Sequence, residues 1–238
     1  MSQSDTIVVI PTYKEAKNIA TLLLALTETL PTVSILVVDD NSPDETQAIV
    51  RTFAVHHPNV VLKQRVSKEG LGLAYRDAFQ GLQNSSFSYI FMMDADLSHD
   101  YREIPRMLEL AKSVHCVVGS RYIAGGNVEN WYWLRMLLSR YANWYVRAIL
   151  QKPVHDFTAG FMCFRREIIS TLDMENMSAR GYAFLVEFKY RILSLGYSLA
   201  ETPITFVERR AGASKISWPI IWEAAWTPWR LRMTNKRV

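Results

Sequence analysis

The sequence predicts an α/β fold, a mostly parallel central sheet flanked by helices and followed by an amphipathic C-terminal elaboration. Three observations carry this expectation. Strand-like and helix-like segments alternate through the first 120 residues. The strand-like segments are apolar throughout rather than alternating, which marks strands covered on both faces. The 238 residues are 49% hydrophobic, enough core for one large α/β domain.

Thr6–Ile10 is the first β-rich run, closed by Pro11. Ile19, Leu22, Leu23, Leu26 and Leu30 then recur at helical spacing until Pro31. Ser34–Val38 is a second buried strand. Ser42-Pro43-Asp44-Glu45 reads as a helix start, with Ser42 as cap, Pro43 in the first turn and Glu45 closing a capping box. Val60–Leu62 is a third strand. Leu71, Tyr75, Ala78, Phe79 and Leu82 form one helix face. Tyr89–Met93, Ile104–Ala111 and Cys116–Val118 read as strand, helix and strand. Residues 131–150 form a helical stretch rich in aromatics and arginine. Phe161–Phe164 is a strand, Ala183–Leu195 a helix and Ser198–Val207 a further strand that Pro203 places at an edge. The simplest division is one domain over 1–216 and a tail over 217–238.

That tail is unusual. Four of the seven tryptophans (Trp218, Trp222, Trp226 and Trp229) fall within it, spaced to share one helical stripe, with Pro228 disfavouring helix near the end. Residues 209–238 carry a net charge of +6 and the remainder −2. No stretch reaches the roughly 18–20 apolar residues of a membrane span, and the polar start Met1–Asp5 does not resemble a signal peptide. Cys116 and Cys163 lie in apolar strand contexts and are expected to be buried free thiols, too few for a disulfide framework or zinc site. These features point to the cytosolic side.

Open α/β sheets bind ligands beyond the carboxyl ends of their strands. Three such ends carry acids: Glu15 after the first strand, Asp39, Asp40 and Asp44 after the second, and Asp94 and Asp96 after the fourth. Two neighbouring carboxylates repel unless something positive sits between them. A divalent cation taking oxygen ligands, Mg2+ or Mn2+, is the natural partner. The alternative is that one Asp merely caps the next helix. Nicotinamide-dinucleotide, P-loop and hydrolase signatures are all missing, since Pro11-Thr12-Tyr13 follows the first strand and Gly70-Leu71-Gly72 has no third glycine.

The runs VVIPTYKEAKNI, ILVVDDNSPDET, KEGLGLAYRDA, MMDADLSHD, VVGSRY and FVERRAGASKI stand in this order over about residues 7–216. Together they closely resemble the polyprenol (dolichyl) phosphate mannose synthases, inverting glycosyltransferases of family 2 with a GT-A (Rossmann-like) fold. The late R-x-x-G-x-S-K element, Arg209–Lys215, is what points to this branch. The resemblance implies GDP-mannose as donor, with Pro11, Tyr13 and Glu15 on the guanosine and Val38 and Asp40 lining the same pocket. It implies that Asp94, Ala95 and Asp96 border the diphosphate and sugar. Asp96 would ligate Mg2+ or Mn2+ with help from Asp94 and Ser98, a position where some relatives carry Gln. Arg209 and Lys215 would hold the donor phosphates, and Arg121 and Arg135 match arginines that face the acceptor phosphate.

The chemistry this implies is a single inverting displacement. The leaving group is GDP, so the metal and basic side chains stabilise charge developing on the diphosphate. The nucleophile is a lipid phosphate oxygen, already anionic, that needs placement rather than a strong base. His99 and His155 are therefore expected to be structural. A polyprenyl phosphate acceptor requires a membrane surface. The 131–150 helix and the Trp-rich tail either lie in the membrane interface or pack on the protein's own core. The expected location is peripheral, on the cytoplasmic face of the cell membrane or, in a eukaryote, the ER. Either the tail anchors the protein or a small membrane-embedded subunit does, as in some relatives. The alternative donor is another nucleotide sugar such as UDP-glucose. Nucleic acid is not an expected partner, because the acidic rim and lipid-like stripes do not suit it.

Overall fold

A computed structural model describes residues 5–177, 179, 181–208 and 218–234. Its main sheet has seven strands in the order β3-β2-β1-β4-β7-β5-β8. These are β1 (Thr6–Thr12), β2 (Ser34–Asp39), β3 (Val60–Gln64), β4 (Tyr89–Met92), β5 (Cys116–Ser120), β7 (Met162–Arg165) and β8 (Leu199–Pro203). The remaining strands, β6 (Asn127–Glu129) and β9 (Thr205–Val207), form a small parallel pair of their own. The first four sheet strands run parallel, as does β5 with β8, while β7 runs antiparallel between β4 and β5.

Both faces of the sheet are covered, which is why its strands are uniformly apolar. On β1, Ile7 and Val9 join the core beneath α3 (Leu71–Leu82), α6 (Glu167–Thr171) and α7 (Ala183–Ser194). Val8 and Ile10 face the opposite way, against α1 (Ile19–Thr29), α2 (Thr46–His56) and α4 (Ile104–Ala111). A third apolar cluster joins α5 (Trp133–Leu150), α7 and α8 (Trp218–Thr234) through Val146, Leu150, Tyr190 and Leu231. The aromatic residues of the first core interlock, with Phe79 edge-on to Phe164 at 5.3 Å and Phe184 stacked on Phe188 at 5.6 Å.

Several local expectations change. β1 continues through Pro11 to Thr12, since proline's missing N–H matters only where the ladder needs it. The capping box at Ser42 does not form. The Ser42 hydroxyl instead donates to buried Asp39 at 2.6 Å, and α2 starts at Thr46, whose N–H donates to the Asp44 carboxylate. The single strand expected over Ser198–Val207 is two. Ile204 turns away from the main sheet after Pro203, and β9 pairs with β6. α8 runs through Pro228 to Thr234, with Thr227 Oγ1 donating to the Glu223 carbonyl at 2.7 Å. Cys116 and Cys163 are buried and unpaired, and burial pushes the Cys116 thiol up to about 12, which leaves it inert at neutral pH.

The C-terminal half is tied together by buried charges. Asp156 accepts from Arg121 Nε and Nη2, both at 2.7 Å. Its own N–H donates to Glu201 on β8 at 2.9 Å. Lys189 on α7 is fully buried and donates to the carbonyls of Phe157 (3.0 Å) and Ala159 (2.6 Å), fastening the 156–160 loop to α7. Burial disfavours the ammonium and lowers the Lys189 pKa to about 8. Below pH 8 the folded and unfolded states both hold this proton, and the burial cost is fully present. Between about pH 8 and 10.5 the native side chain has lost it and the unfolded one has not, so this group makes stability rise with pH. Unfolding free energies measured across this window should therefore climb for the native protein relative to Lys189→Met, by about 3 kcal/mol at most. Parallel curves for the two proteins would contradict the lowered pKa of the buried Lys189.

Candidate active site

The carboxyl ends of β1, β2 and β4 lie side by side and form the rim that the sequence foretold. Their loops are cross-braced. Asp39, fully buried, accepts from the Thr12 hydroxyl (2.7 Å), the Ser42 N–H (2.8 Å) and Gln47 Nε2 (2.7 Å). The Lys14 N–H donates to Ser42 Oγ and the Glu15 N–H to Thr46 Oγ1, both at 2.9 Å. Each loop also turns through a non-glycine residue of positive φ: Lys14 at 58°, Asn41 at 57° and Leu97 at 63°. For a bulky residue such as Leu97 this conformation is costly and persists only when its surroundings fix it.

Pro11, Tyr13, Glu15, Asp40, Asp94, Ala95 and Asp96 line one cavity of about 210 Å³, together with Lys68, Gly70 and Tyr182. The Lys68 ammonium sits 4.0 Å over the Tyr13 ring, a cation–π contact. Asp40 is heavily committed. It accepts from the backbone N–H groups of Glu69 (3.0 Å) and Gly70 (2.8 Å) and pairs with Arg65, so it holds the start of α3 at the cavity edge. Gly70 there has a φ of 102°, a conformation that suits glycine. Val38, expected in the same lining, instead lies wholly inside the core, because as a residue of a two-face-covered strand it points into packing.

A second cavity, of about 180 Å³, adjoins the first and holds Asp94, Asp96, Arg121, Arg135, Trp131, Thr158, Tyr182 and Phe206. Asp94 and Asp96 thus border both chambers. Asp96 accepts from the Ser98 N–H (3.1 Å) and from its hydroxyl (2.5 Å). Ser98 lines neither chamber, and its hydroxyl is spent on Asp96. The helix-cap alternative does not hold for Asp96, which closes a local turn on Ser98; the following short helix is capped by Asp100, which accepts from the Arg102 N–H at 3.0 Å. His99 Nδ1 accepts from the Asp94 N–H at 3.2 Å, and the ring stacks on Phe161 at 5.0 Å. Burial holds the His99 pKa below its ordinary value, and the ring lines the second chamber beside Asp94. His155 hydrogen-bonds Glu201 at 2.8 Å, away from either chamber.

Arg121 is nearly buried. Burial alone would lower its pKa, but the Asp156 pair outweighs it and keeps the guanidinium charged. Arg135 pairs with Glu208 and lies 4.1 Å over the Trp131 ring. Arg209 and Lys215 lie outside the described residues. Sequence reasoning missed Lys68, Tyr182, Trp131, Thr158, Asp156 and Lys189. Only Lys68, which opens the run KEGLGLAYRDA, carried a visible signal.

The sequence model of Glycosyl transferase family 2 matches residues 7–173. A polyprenol monophosphomannose synthase of Mycolicibacterium smegmatis is 41% identical over 92% of this chain and 83% of its own length. An undecaprenyl-phosphate mannosyltransferase of Micrococcus luteus is 37% identical over 91% of this chain and 89% of its own. Among solved structures, glucosyl-3-phosphoglycerate synthase of Mycobacterium tuberculosis with phosphoglyceric acid matches with TM-score 0.68 and 14% identity, over 100% of this chain and 81% of that one. A mannosyltransferase of Pyrobaculum calidifontis in complex with GDP-Man and Mn2+ matches with TM-score 0.61 and 17% identity, over 99% of this chain and 74% of that one. These likenesses show a GT-A fold. On the breadth of the sequence match, the chain belongs to glycosyl transferase family 2.

Proposed function

We propose that the chain transfers mannose from GDP-mannose to a membrane polyprenyl phosphate, inverting the anomeric centre and releasing GDP. The observation that carries this reading is the position of Asp94 and Asp96 between two chambers. One chamber offers loop backbone, Tyr13 and Lys68 to a nucleotide. The other offers two arginines to an acceptor anion. The transferred sugar passes between them. The names of the two bacterial relatives support the acceptor and the sugar, and the bound GDP-Man of the Pyrobaculum neighbour is compatible with the donor.

Asp94 and Asp96 suit a divalent cation, Mg2+ or Mn2+. They are hard oxygen donors, and Mg2+ typically takes one or two carboxylates and completes its shell with substrate phosphates and water. Among the described residues no group of three His, Cys, Asp or Glu stands ready to hold a metal, which matches a site completed by the donor's diphosphate. A Cβ at Gly160 would sit 3.5 Å from Asp94 Oδ2, so the bare glycine keeps space beside that carboxylate. When bound, the ion supplies Lewis-acid stabilisation of the departing GDP. Ser98 orients Asp96 for this role. Arg121 and Arg135 hold the acceptor phosphate with one oxygen directed at the sugar, a task that suits the planar guanidinium. With the nucleophile already anionic, neutral His99 is not needed as a base. Arg209 and Lys215 are assigned to the donor phosphates on the resemblance alone.

α5 and α8 provide the membrane contact. They pack together, with Tyr145 Oη donating to the Ala225 carbonyl and Trp229 Nε1 donating to Tyr145, both at 2.9 Å. Trp133, Leu134, Leu138 and Trp144 on α5 and Trp222 and Trp226 on α8 are exposed, with Leu138 at 68% and Trp222 at 77%. Tryptophan beside arginine is the composition of a membrane interface. No helix among the described residues is long and apolar enough to cross a membrane. We place the protein on the cytoplasmic face, bound through these helices.

Labelled GDP-mannose, polyprenyl phosphate and Mn2+ should yield lipid-linked mannose. Asp96→Asn should lower kcat by about 10³-fold or more, with the melting temperature held within about 2 °C. Turnover of UDP-glucose and none of GDP-mannose would overturn the donor assignment. In liposome sedimentation, the double variant Leu138→Glu/Trp222→Glu should remain largely in the supernatant while the native chain pellets. Equal pelleting of both would remove α5 and α8 as the docking surface.

A further inference from the structure

Trp131 lines the chamber of Arg121 and Arg135, just ahead of α5. Its indole Nε1 is buried and, among the described residues, has no hydrogen-bond partner. A buried donor left without an acceptor costs about 1–3 kcal/mol, and a buried indole N–H ordinarily finds one. The rings and charges against it are cationic and aromatic. The Arg135 guanidinium carbon lies 4.1 Å from the ring centroid and that of Arg121 5.6 Å, while Phe206 stands edge-on at 5.5 Å.

Arg121 shows the same excess of donors. Its Nε and Nη2 bonds go to Asp156 and Thr158, and no hydrogen bond among the described residues uses Nη1. Arg135 Nη1 donates to Glu208. This side of the chamber therefore presents N–H groups from three residues, Trp131, Arg121 and Arg135. Asp94 and Asp96 border the same space, and the divalent cation proposed above answers for their charge. The donors beside Trp131 suit an anion with several acceptor oxygens.

We propose that the Trp131 indole N–H donates to an oxygen of the acceptor phosphate and completes a three-residue cradle with Arg121 and Arg135. With the guanidinium carbons 4.1 and 5.6 Å from the ring centroid, one phosphate, whose oxygens each accept at about 2.8 Å, would bridge the three side chains. A phosphate monoester has three terminal oxygens. An uncharged, rigid donor fixes one of them without drawing further negative charge from the attacking oxygen. This inference rests on the transfer reading above, because the ligand it names is the acceptor of that reaction.

The test uses the full chain with GDP-mannose, Mn2+ and a short-chain prenyl phosphate in detergent. Two variants are compared: Trp131→Phe, and Trp131 replaced by 3-benzothienylalanine, which puts sulfur in place of the N–H and keeps the bicyclic ring. Both should raise the acceptor KM by about tenfold, the loss expected for one hydrogen bond to a charged group. The donor KM should stay within about twofold. An unchanged acceptor KM in the benzothienyl variant overturns the proposal, even if Trp131→Phe is impaired, because packing alone would then be at stake. Equal rises in both KM values also overturn it, since that marks general disruption of the site. A native chain that transfers no sugar to any prenyl phosphate defeats the transfer reading and this inference together. Transfer by the native chain with an unaffected benzothienyl variant defeats this inference alone.

Discussion

Two carboxylates held two residues apart at a strand end repel each other, and the site is organised around that constraint. Asp94 and Asp96 follow β4, which lies near the middle of the sheet between β1 and β7. Burial and local hydrogen bonds hold the pair in place: the Ser98 hydroxyl on Asp96, and the His99 ring against the Asp94 backbone and carboxylate. Their remaining need is for positive charge, which under the proposed reaction a divalent cation would supply, with the donor's anionic diphosphate completing its shell. Because the pair borders two chambers, one placement would serve both substrates of the proposed transfer.

The supports of each chamber differ. The chamber beside Tyr13 is braced by hydrogen bonds between the β1 and β2 loops, with Asp39 as their hub and left-handed non-glycine residues marking the strain. The arginine side is held by long-range buried charge. Asp156 fixes Arg121, Glu201 fixes the Asp156 backbone, and Lys189 fixes the loop beyond it. Removing one partner of such a pair typically costs about 3–5 kcal/mol because the other charge stays buried. The mouth of that chamber is shared with α5, whose opposite face carries the exposed aromatics. On the proposed reading, one helix would bring Arg135 to the acceptor phosphate and its exposed aromatics to the membrane.

The sequence made the first half of this molecule legible because its information is local. The apolar runs at Thr6, Ser34 and Tyr89 and the acids that follow them required only strand geometry and the rule that ligands gather at carboxyl ends. Seven of the expected donor-side residues indeed share one cavity. Other features depended on distant pairing. Nothing near Phe161 says that β7 inserts antiparallel between β4 and β5, because that choice is made by both neighbours. Lys189 sits among Phe188 and Tyr190 with no sign that its ammonium will meet the Phe157 and Ala159 carbonyls. Trp131 read as one more aromatic of an interfacial helix, yet it faces arginines rather than lipid. Ser42 showed the opposite failure, since a sound local capping pattern gave way to a stronger buried acceptor, Asp39.

The central claim is that one carboxylate pair divides a nucleotide chamber from a phosphate chamber. The most direct measurement is a crystal structure with GDP-mannose, Mn2+ and a short-chain prenyl phosphate, with the metal located by its anomalous signal. The account predicts the metal on Asp94 and Asp96, the guanosine beside Tyr13 and Lys68, and the prenyl phosphate between Arg121 and Arg135. A prenyl phosphate bound away from both arginines, or a metal bound away from both carboxylates, would contradict it.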